Sequence, residues 1–335
     1  MTRTQVANHG LPLIKRSSQN NLEPQERERH CIEAHAMYQF NTAWLKNRQA
    51  KPLVYSGLLL VASGIIHLGI YAFYGGPWEG EVSWRKPILF GISAGLTSIS
   101  MGWVWSSLLQ RKYDYFLSYS AALSLLVEVG LIDLQQWRGV PSHFNRSTAF
   151  DSIIYNAMGL LILWVTAVII MMTIRSFTEP FSQPLPMLIA TQYGLIYLTI
   201  SCILGIIVNI NGDLRMQHGL PPAQYGDAGV PKFPHGVVIH ALQWLPLLAW
   251  GASKARFSNT TQRRLILLAS RASGLLLIYA TVVTLLGRAR FDAPPQIAVI
   301  FYIAVTTLFC INAVIVIGII RRVLPALQTP HSVDQ

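Results

Sequence analysis

Apolar residues are concentrated in about eight stretches of the chain, and short runs of polar and charged residues separate these stretches. A helix needs about 20 mostly apolar residues to cross the hydrocarbon core of a bilayer. The predicted membrane helices cover residues 53–73, 87–109, 115–136, 151–174, 185–209, 235–251, 263–286 and 296–320, of which the sixth is short. The pattern therefore predicts an all-α fold, a polytopic membrane helix bundle with about eight transmembrane helices.

Proline and aspartate mark the starts of several predicted helices. Pro87, Pro186 and Pro295 lie at or near helix starts, where the missing N–H of proline costs little. Asp151 is placed to cap the fourth helix.

Composition supports a membrane protein and divides the chain into three parts. Hydrophobic residues make up 52% of the chain and charged residues only 12%, against about 25% charged residues in soluble domains. Residues 1–50 are predicted to be a flexible polar tail, residues 51–322 the transmembrane domain, and residues 323–335 a C-terminal tail. The net charge of +11 comes from short basic runs between apolar stretches, which favours membrane anchoring over nucleic-acid binding.

The connections between helices differ in composition on the two sides of the membrane. Lys and Arg are more frequent on the side that carries both termini, so the positive-inside rule places both termini in the cytosol. The opposite connections combine Glu, Asp, Arg and His with Trp, Tyr and Phe. A functional site is therefore expected to open toward the non-cytosolic side.

Glu128 is a carboxylate within the apolar run of the third helix. A charged group at this depth is expensive, so it pairs with a cation or takes up a proton. One expectation is a structural ion pair with Arg271 of the seventh helix. The other is a neutral carboxylic acid that donates a proton to a weakly basic substrate.

Asp133 and Asp151 flank the loop after the third helix, and both are candidate catalytic acids together with Glu128. Three further ionisable residues lie between them: Arg138, His143 and Arg146. They could form a salt-bridged plug, or His143 and the arginines could orient the acid or the polar end of a substrate. Tyr155, one turn after Asp151, is expected on the same helical face.

Polar residues at two other helix ends are candidate substrate ligands. The segment SWRKP contains Trp84, Arg85 and Lys86, and GDLR contains Asp213 and Arg215. The cations could bind an anionic or strongly polar substrate end, or they could simply anchor the helix at the lipid headgroups.

Aromatic and histidine side chains allow two further interpretations. Trp84, Trp137 and Tyr155 are expected to line a cavity where ring faces stabilise a developing cation, although membrane belts explain many such residues. His240 is a further candidate substrate ligand; alternatively, His67 and His240 could ligate a haem iron. The spacing of the histidines and cysteines indicates no single metal site.

Four motifs, SWRKP, RGVPSHFN, GDLR and HALQWLPL, are similar to those of eight-helix transmembrane terpene cyclases of meroterpenoid pathways, of the ascochlorin and ascofuranone type, and of related bacterial multi-pass membrane proteins. The resemblance covers roughly residues 53–320. It implies acid-initiated cyclisation of a prenyl chain, of farnesyl length and terminally epoxidised in some substrates, in the endoplasmic reticulum or another internal membrane if the protein is fungal. No catalytic residue is transferred from the resemblance.

The leading hypothesis is thus an integral membrane terpene cyclase that acts on a lipophilic prenylated substrate without a metal or other cofactor. The chemistry needs an acid kept neutral by its surroundings and an apolar cavity that excludes water. The alternatives are a haem- or quinone-linked redox protein that uses His67 and His240, and a proton-coupled transporter with Glu128 and Arg271 as a gating pair.

Overall fold

A computed structural model describes residues 42–328 of the chain. In this range the protein is helical throughout, with isolated β-bridges but no strand. A 3-10 helix, Thr42–Lys46, precedes the α-helices α1 (Lys51–Tyr74), α2 (Arg85–Ser107), α3 (Asp114–Trp137), α4 (Ala149–Thr178), α5 (Leu185–Gln217), α6 (Lys232–Val238), α7 (Ala241–Lys254), α8 (Asn259–Leu285) and α9 (Pro295–Gln328).

The described helices form eight segments that are long and apolar enough to cross a membrane, because α6 and α7 together make one span, Lys232–Lys254. The predicted all-α membrane architecture is therefore confirmed. In the last part of the predicted N-terminal tail, Ala50 is fully buried. Helix α9 extends into the predicted C-terminal tail. The remainder of both tails, residues 1–41 and 329–335, lies outside the described residues.

The sixth span is broken rather than short. The chain leaves helical geometry at His240 (φ −96°, ψ 13°) and resumes it at the start of α7. A break of this kind exposes backbone groups and places a side chain at membrane depth, which is tolerated where the chain is buried in protein or lines a cavity.

Helices α1 and α2 form the most extensive helix pair, and glycines allow their backbones to touch. A Cβ atom on Gly57 would lie 2.6 Å from the carbonyl oxygen of Gly95, and a Cβ on Gly91 would lie 2.8 Å from the nitrogen of Gly64. Only a hydrogen atom fits at these contacts, as in other close-packed membrane helix pairs. We call this contact the glycine seam.

The alternation of the spans sorts the connections into two ends of the bundle. The connections α1–α2, α3–α4, α5–α6 and α8–α9 lie at one end, and they are the longer ones. We call this the long-loop end. The connections α2–α3, α4–α5 and α7–α8 lie at the opposite, short-loop end.

A buried ion cluster holds the short-loop end together. Arg175 is only 4% exposed. Its guanidinium donates to both carboxylate oxygens of Asp114 (2.7 and 3.1 Å) and to both of Glu179 (3.0 and 3.1 Å). Arg111 adds a second cation, 2.5 Å from Glu179. Two cations and two anions therefore balance in charge and fix α3 to α4.

Candidate functional site

Helix α2 has a polar face opposite the glycine seam. Four residues share this face: Lys86, Phe90, Ser93 and Thr97. At about 100° per residue, they point roughly 100–180° away from Gly91 and Gly95 of the seam. The Ser93 hydroxyl lies 3.1 Å from Nε2 of His240, and the Gln243 amide donates to the Thr97 hydroxyl at 3.4 Å. The polar face of α2 therefore meets the broken sixth span.

Glu128 lies on the buried face of α3 and is 7% exposed. Within residues 42–328, its carboxyl group makes no hydrogen bond and no ion pair. Its charge would act on the thiol of Cys202 on α5, so the group faces the interior of the bundle. The expected pair with Arg271 is not formed, because that side chain is exposed on another part of the described bundle.

His143 reaches into the bundle from the α3–α4 loop. Its ring centroid lies 5.4 Å from that of Phe90, and its Nδ1 lies 2.9 Å from the Ser142 hydroxyl. Burial, together with the positive charges of Lys86 and Lys232, lowers the pKa of His143 to about 4. His143 is therefore a neutral imidazole at physiological pH.

The loop that carries His143 packs over the long-loop end. Phe144 has a left-handed backbone conformation (φ 58°), which is rare for a bulky residue and needs support from packing. Its ring fits against Gly212 of α5 and lies 5.7 Å from the ring of Tyr155. Arg146 donates to Asp213 at 3.2 Å and covers the Tyr155 ring at 4.9 Å. Three predicted substrate ligands thus contact one another and fasten the loop.

Asp151 anchors the other side of this loop. Thr148 is the true N-cap of α4, since its hydroxyl accepts the N–H of Asp151 at 3.1 Å and donates to the Asp151 carboxylate at 2.7 Å. The predicted cap at Asp151 was therefore three residues too late, and Asp151 is the reciprocal partner of the cap. The carboxylate also accepts bonds from Gln135 (3.0 Å) and Arg138 (2.6 Å). So many donors favour a charged structural anion over a proton donor.

Asp133 belongs to a separate cluster between α1 and α3. About 140° of helix rotation separates it from Glu128. The Ser63 hydroxyl donates to Asp133 at 2.9 Å, and the Trp137 indole donates to Nε2 of His67 at 3.0 Å. An indole N–H can only donate, so Nε2 of His67 is the acceptor and carries no proton. The proton of the His67 ring is therefore on Nδ1, which donates to the Ser63 carbonyl at 2.9 Å. This hydrogen bonding is typical of a structural cluster at a helix interface.

The two histidines of the redox hypothesis are not brought together. His67 bonds Trp137 on the α1 side of α2, whereas His240 bonds Ser93 on the opposite side. In the described part of the chain, no group of three or more His, Cys, Asp or Glu side chains could hold a metal ion.

The remaining predicted ligands lie at the margin of the bundle. Arg85 is 4.0 Å from Glu79. Trp84 packs edge-on against Trp137, with 5.4 Å between ring centroids, so both rings belong to the cluster around Asp133. Arg215 donates to a backbone carbonyl of its own loop at 2.9 Å. None of these side chains contacts Glu128 or His143 in the described structure.

Several polar side chains lie near the contacts between α2, α3, α5 and the broken sixth span. Phe90, Cys202 and Ile239 are partly buried around the same core. We call these polar residues together the central site: Ser93, Glu128 and His240 lie within the spans, and His143, half-buried Lys86 and exposed Lys232 lie at the long-loop end. Sequence reasoning missed Ser93 and Lys232, and only their positions at helical spacing and at a helix start could have indicated them.

Two surface grooves lie away from the central site. One, of about 390 Å³, lies between α7 and α9 and has mostly apolar walls that include Trp244 and Asn312. The other, of about 370 Å³, lies on α4 beside Arg175. Neither groove includes a residue of the central site.

The fold defines a multi-pass helical membrane protein with buried polar side chains within its spans. No protein-family model, curated protein or solved structure matches the chain.

Proposed function

We propose that the protein is an integral membrane terpene cyclase that protonates and cyclises the prenyl chain of a meroterpenoid precursor. The observation that carries this proposal is Glu128, a buried carboxyl group in the bundle interior without a hydrogen-bond or ion-pair partner among residues 42–328. An unpartnered carboxyl group in an apolar interior is least costly as the neutral acid. Of the other two candidate acids, Asp151 accepts several hydrogen bonds. Asp133 accepts one from Ser63 at Oδ2, and its buried Oδ1 has no hydrogen-bond partner among the described residues.

A neutral acid is the reagent that this reaction needs. Alkenes and epoxides are weak bases, so they react only with a well-positioned proton donor. Glu128 gives its proton to the epoxide oxygen or to a terminal alkene carbon. The C–O bond, or the alkene π bond, then breaks as the next double bond attacks to form a ring. Loss of a proton from carbon to a base ends the reaction, so the product has the mass of the substrate. The neutral imidazole of His143 is a base of suitable kind, and proton return to Glu128 completes the cycle.

Aromatic and apolar side chains support the cationic stage. The rings of Phe90, Phe144 and Tyr155 pack together with Leu131 and Met158 near the long-loop end. Ring faces attract a developing positive charge, and the apolar surroundings keep water from capturing it.

A lipid-embedded site suits a lipophilic substrate. A prenyl chain partitions into the bilayer and can reach the interior laterally between spans. The proposal places both termini in the cytosol, the long-loop end on the opposite side, and the protein in the endoplasmic reticulum or another internal membrane.

The test is a product assay on membranes that contain the full chain. A farnesylated hydroxybenzoic acid and its terminal epoxide are the probes, and liquid chromatography with mass spectrometry detects a product of unchanged mass and new retention time. Glu128→Gln should abolish this product, whereas the matched variant Glu79→Gln, with a side chain 83% exposed, should retain it. Full product formation by Glu128→Gln eliminates Glu128 as the donor, and no product from either probe with the unaltered protein counts against the proposal.

The same unpartnered carboxyl group also favours a proton-coupled carrier as a second candidate. Reconstituted vesicles distinguish the two functions. Glu128-dependent uptake of the labelled probe, recovered chemically unchanged, would select the carrier.

A further inference from the structure

Arg271 lies near the midpoint of the α8 span, which runs from Asn259 to Leu285. Every other lysine or arginine that the structure describes in a span lies within two turns of a helix end. The Arg271 side chain is exposed on the outer surface of the bundle, and it makes no hydrogen bond, ion pair or ring contact with the part of the chain that the structure describes. A guanidinium that faces lipid at this depth is costly unless it reaches the interface and an anion there.

The side chain of Arg271 extends toward the short-loop end of the bundle. In a helix the Cα–Cβ bonds tilt toward the N-terminus, and α8 begins at the short-loop end. Arg264 marks the headgroup level on the same helix, and Arg271 lies about 10 Å deeper. The apolar stem of an arginine spans much of that depth, so its guanidinium comes to lie just below the lipid phosphates.

Arg264, Leu268 and Arg271 form one stripe on α8. Their spacing of four and three residues places them on the same side of the helix, and all three are exposed. The stripe continues toward the opposite end with Leu275, which is half-buried, and Ile278, which is exposed. Two cations followed by apolar side chains match the two parts of a phospholipid, its phosphate and its acyl chains.

The neighbouring helices supply no carboxylate for these arginines. The sequence has no Asp or Glu between Asp227 and Asp292, and the next acid after Asp292 is Asp334. The described parts of α7, α8 and α9 therefore carry no acid at the short-loop end. A second copy of the chain that docked through the same surface would bring further cations to it, which disfavours the protein itself as the source of the anion.

Further cations lie around the start of α8. The α7–α8 turn packs against α9, where a Cβ atom on Gly318 would lie 2.7 Å from the Phe257 ring and 2.8 Å from the Cβ of Ala255. Arg256 lies between these two turn residues, and Arg321 follows Gly318 by about one turn of α9. Positive charge at a membrane surface raises the local concentration of anionic lipids.

We infer that Arg264 and Arg271 form a binding site for the phosphate of an anionic membrane lipid in the leaflet at the short-loop end. The Arg271 guanidinium binds the phosphate oxygens from the hydrocarbon side through paired N–H donors, and Arg264 binds them from the headgroup side. An acyl chain then lies along Leu275 and Ile278. The site is on the outer surface of the bundle and does not depend on the proposed cyclase reaction.

The experiment measures lipid binding to the purified full-length protein by native mass spectrometry from a neutral detergent. Phosphatidylglycerol is the anionic probe, and phosphatidylcholine with the same acyl chains is its zwitterionic counterpart. We expect the first phosphatidylglycerol to bind about 10-fold more tightly than phosphatidylcholine, and Arg271→Gln should reduce this preference to about 3-fold or less. Arg271→Lys should keep only part of the preference, because an ammonium group lacks the paired donors of a guanidinium.

Arg263→Gln is the matched control. It removes the same charge from an exposed residue of the same helix, nearer the headgroups and about 100° around the helix from Arg264. If diffuse surface charge attracted the lipid, Arg263→Gln would weaken binding at least as much as Arg271→Gln does. The lipid site predicts the opposite order. Equal far-UV circular dichroism of the variants in detergent alone shows that they are folded.

Three results would overturn the inference. The first is equal affinity for the two lipids, or a loss in Arg263→Gln that equals or exceeds the loss in Arg271→Gln. The second is displacement of the bound lipid by inorganic phosphate, which would assign the arginines to a soluble anion. The third is a dimer that forms without added lipid and is lost in Arg271→Gln, which would assign Arg271 to a contact between two copies.

Discussion

Replacing Arg175 by methionine tests whether the buried ion cluster holds the short-loop end together. Methionine keeps an unbranched side chain but removes the guanidinium and its donors. The change leaves Asp114, which is 1% exposed, with the N–H of Arg111 at 2.8 Å as its remaining hydrogen bond. Glu179 keeps only its contact with the Arg111 side chain.

The size of the effect follows from the burial of the partners. Removing one member of a buried, hydrogen-bonded ion pair costs about 3–5 kcal/mol, because an uncompensated charge stays behind. Arg111→Met is the matched control: the Arg111 side chain is itself 60% exposed, and Glu179 keeps both bonds from Arg175 without it, so we expect this variant to lose only about 0–1 kcal/mol. We therefore expect Arg175→Met to lower the free energy of unfolding by about 3 kcal/mol more than Arg111→Met does.

Unfolding by sodium dodecyl sulfate in mixed micelles, followed by circular dichroism, measures both variants under one condition. Adding Asp114→Asn to Arg175→Met should recover part of the loss, because it removes the stranded negative charge. The reasoning is refuted if Arg175→Met and Arg111→Met unfold at the same detergent fraction, or if the second substitution makes Arg175→Met worse.

Three other predictions concern the glycine seam, the loop histidine and the loop anchor. Gly95→Val should lower the free energy of unfolding by roughly 1–3 kcal/mol or more, because its Cβ would lie 2.6 Å from the Gly57 carbonyl; Gly159→Val, where a Cβ meets nothing within 4 Å, should lower it far less in the same assay. His143 has a pKa of about 4 in the folded protein and about 6.5 when unfolded, so the unfolded state binds more protons between these values and stability should fall on acidification by up to about 3 kcal/mol. His143→Phe should flatten the measured stability between about pH 4 and 6.5, and an unchanged slope would contradict this assignment. Asp151→Asn should lower Tm in a thermal unfolding assay by weakening the bond to its arginine partner, while the product pattern stays the same; a selective loss of product with unchanged Tm would instead make Asp151 a catalytic acid.

Hydropathy was sufficient for the number and placement of the spans, because the bilayer imposes a minimum apolar length on every crossing helix. It could not show the break at His240, since a short distortion changes geometry without changing composition. The cluster around Arg175 was missed for a related reason. Its acids and cations come from two connections and two helix ends, so each looks like a solvated charge when the sequence is read locally.

Sequence reasoning identified a candidate residue of the site only where the depth of that residue within an apolar span was informative. Glu128 stands out in an apolar run, and it does face the interior. The expected ion pair with Arg271 was wrong. Hydropathy predicts how deep a residue lies in a span, but not which side of the helix its side chain occupies. Asp133 and Asp151 were grouped with Glu128 by distance in sequence, whereas rotation about α3 and the capping of α4 direct them to separate partners. Lys232 was overlooked because a lysine at a helix start is usual in membrane proteins.

The two sides of α2 find their partners at different times during synthesis of the chain. The glycine seam can form as soon as α1 and α2 have left the ribosome, since the two helices are neighbours in the chain. Ser93, however, must wait for His240, which lies 147 residues later. At typical rates of synthesis this wait lasts about 7–30 s. During that time the hairpin of α1 and α2 is already compact, yet it shows hydroxyl groups and a lysine to lipid or to the insertion machinery. The central site is therefore completed late in biosynthesis, when the sixth span reaches a surface that was prepared by the first two.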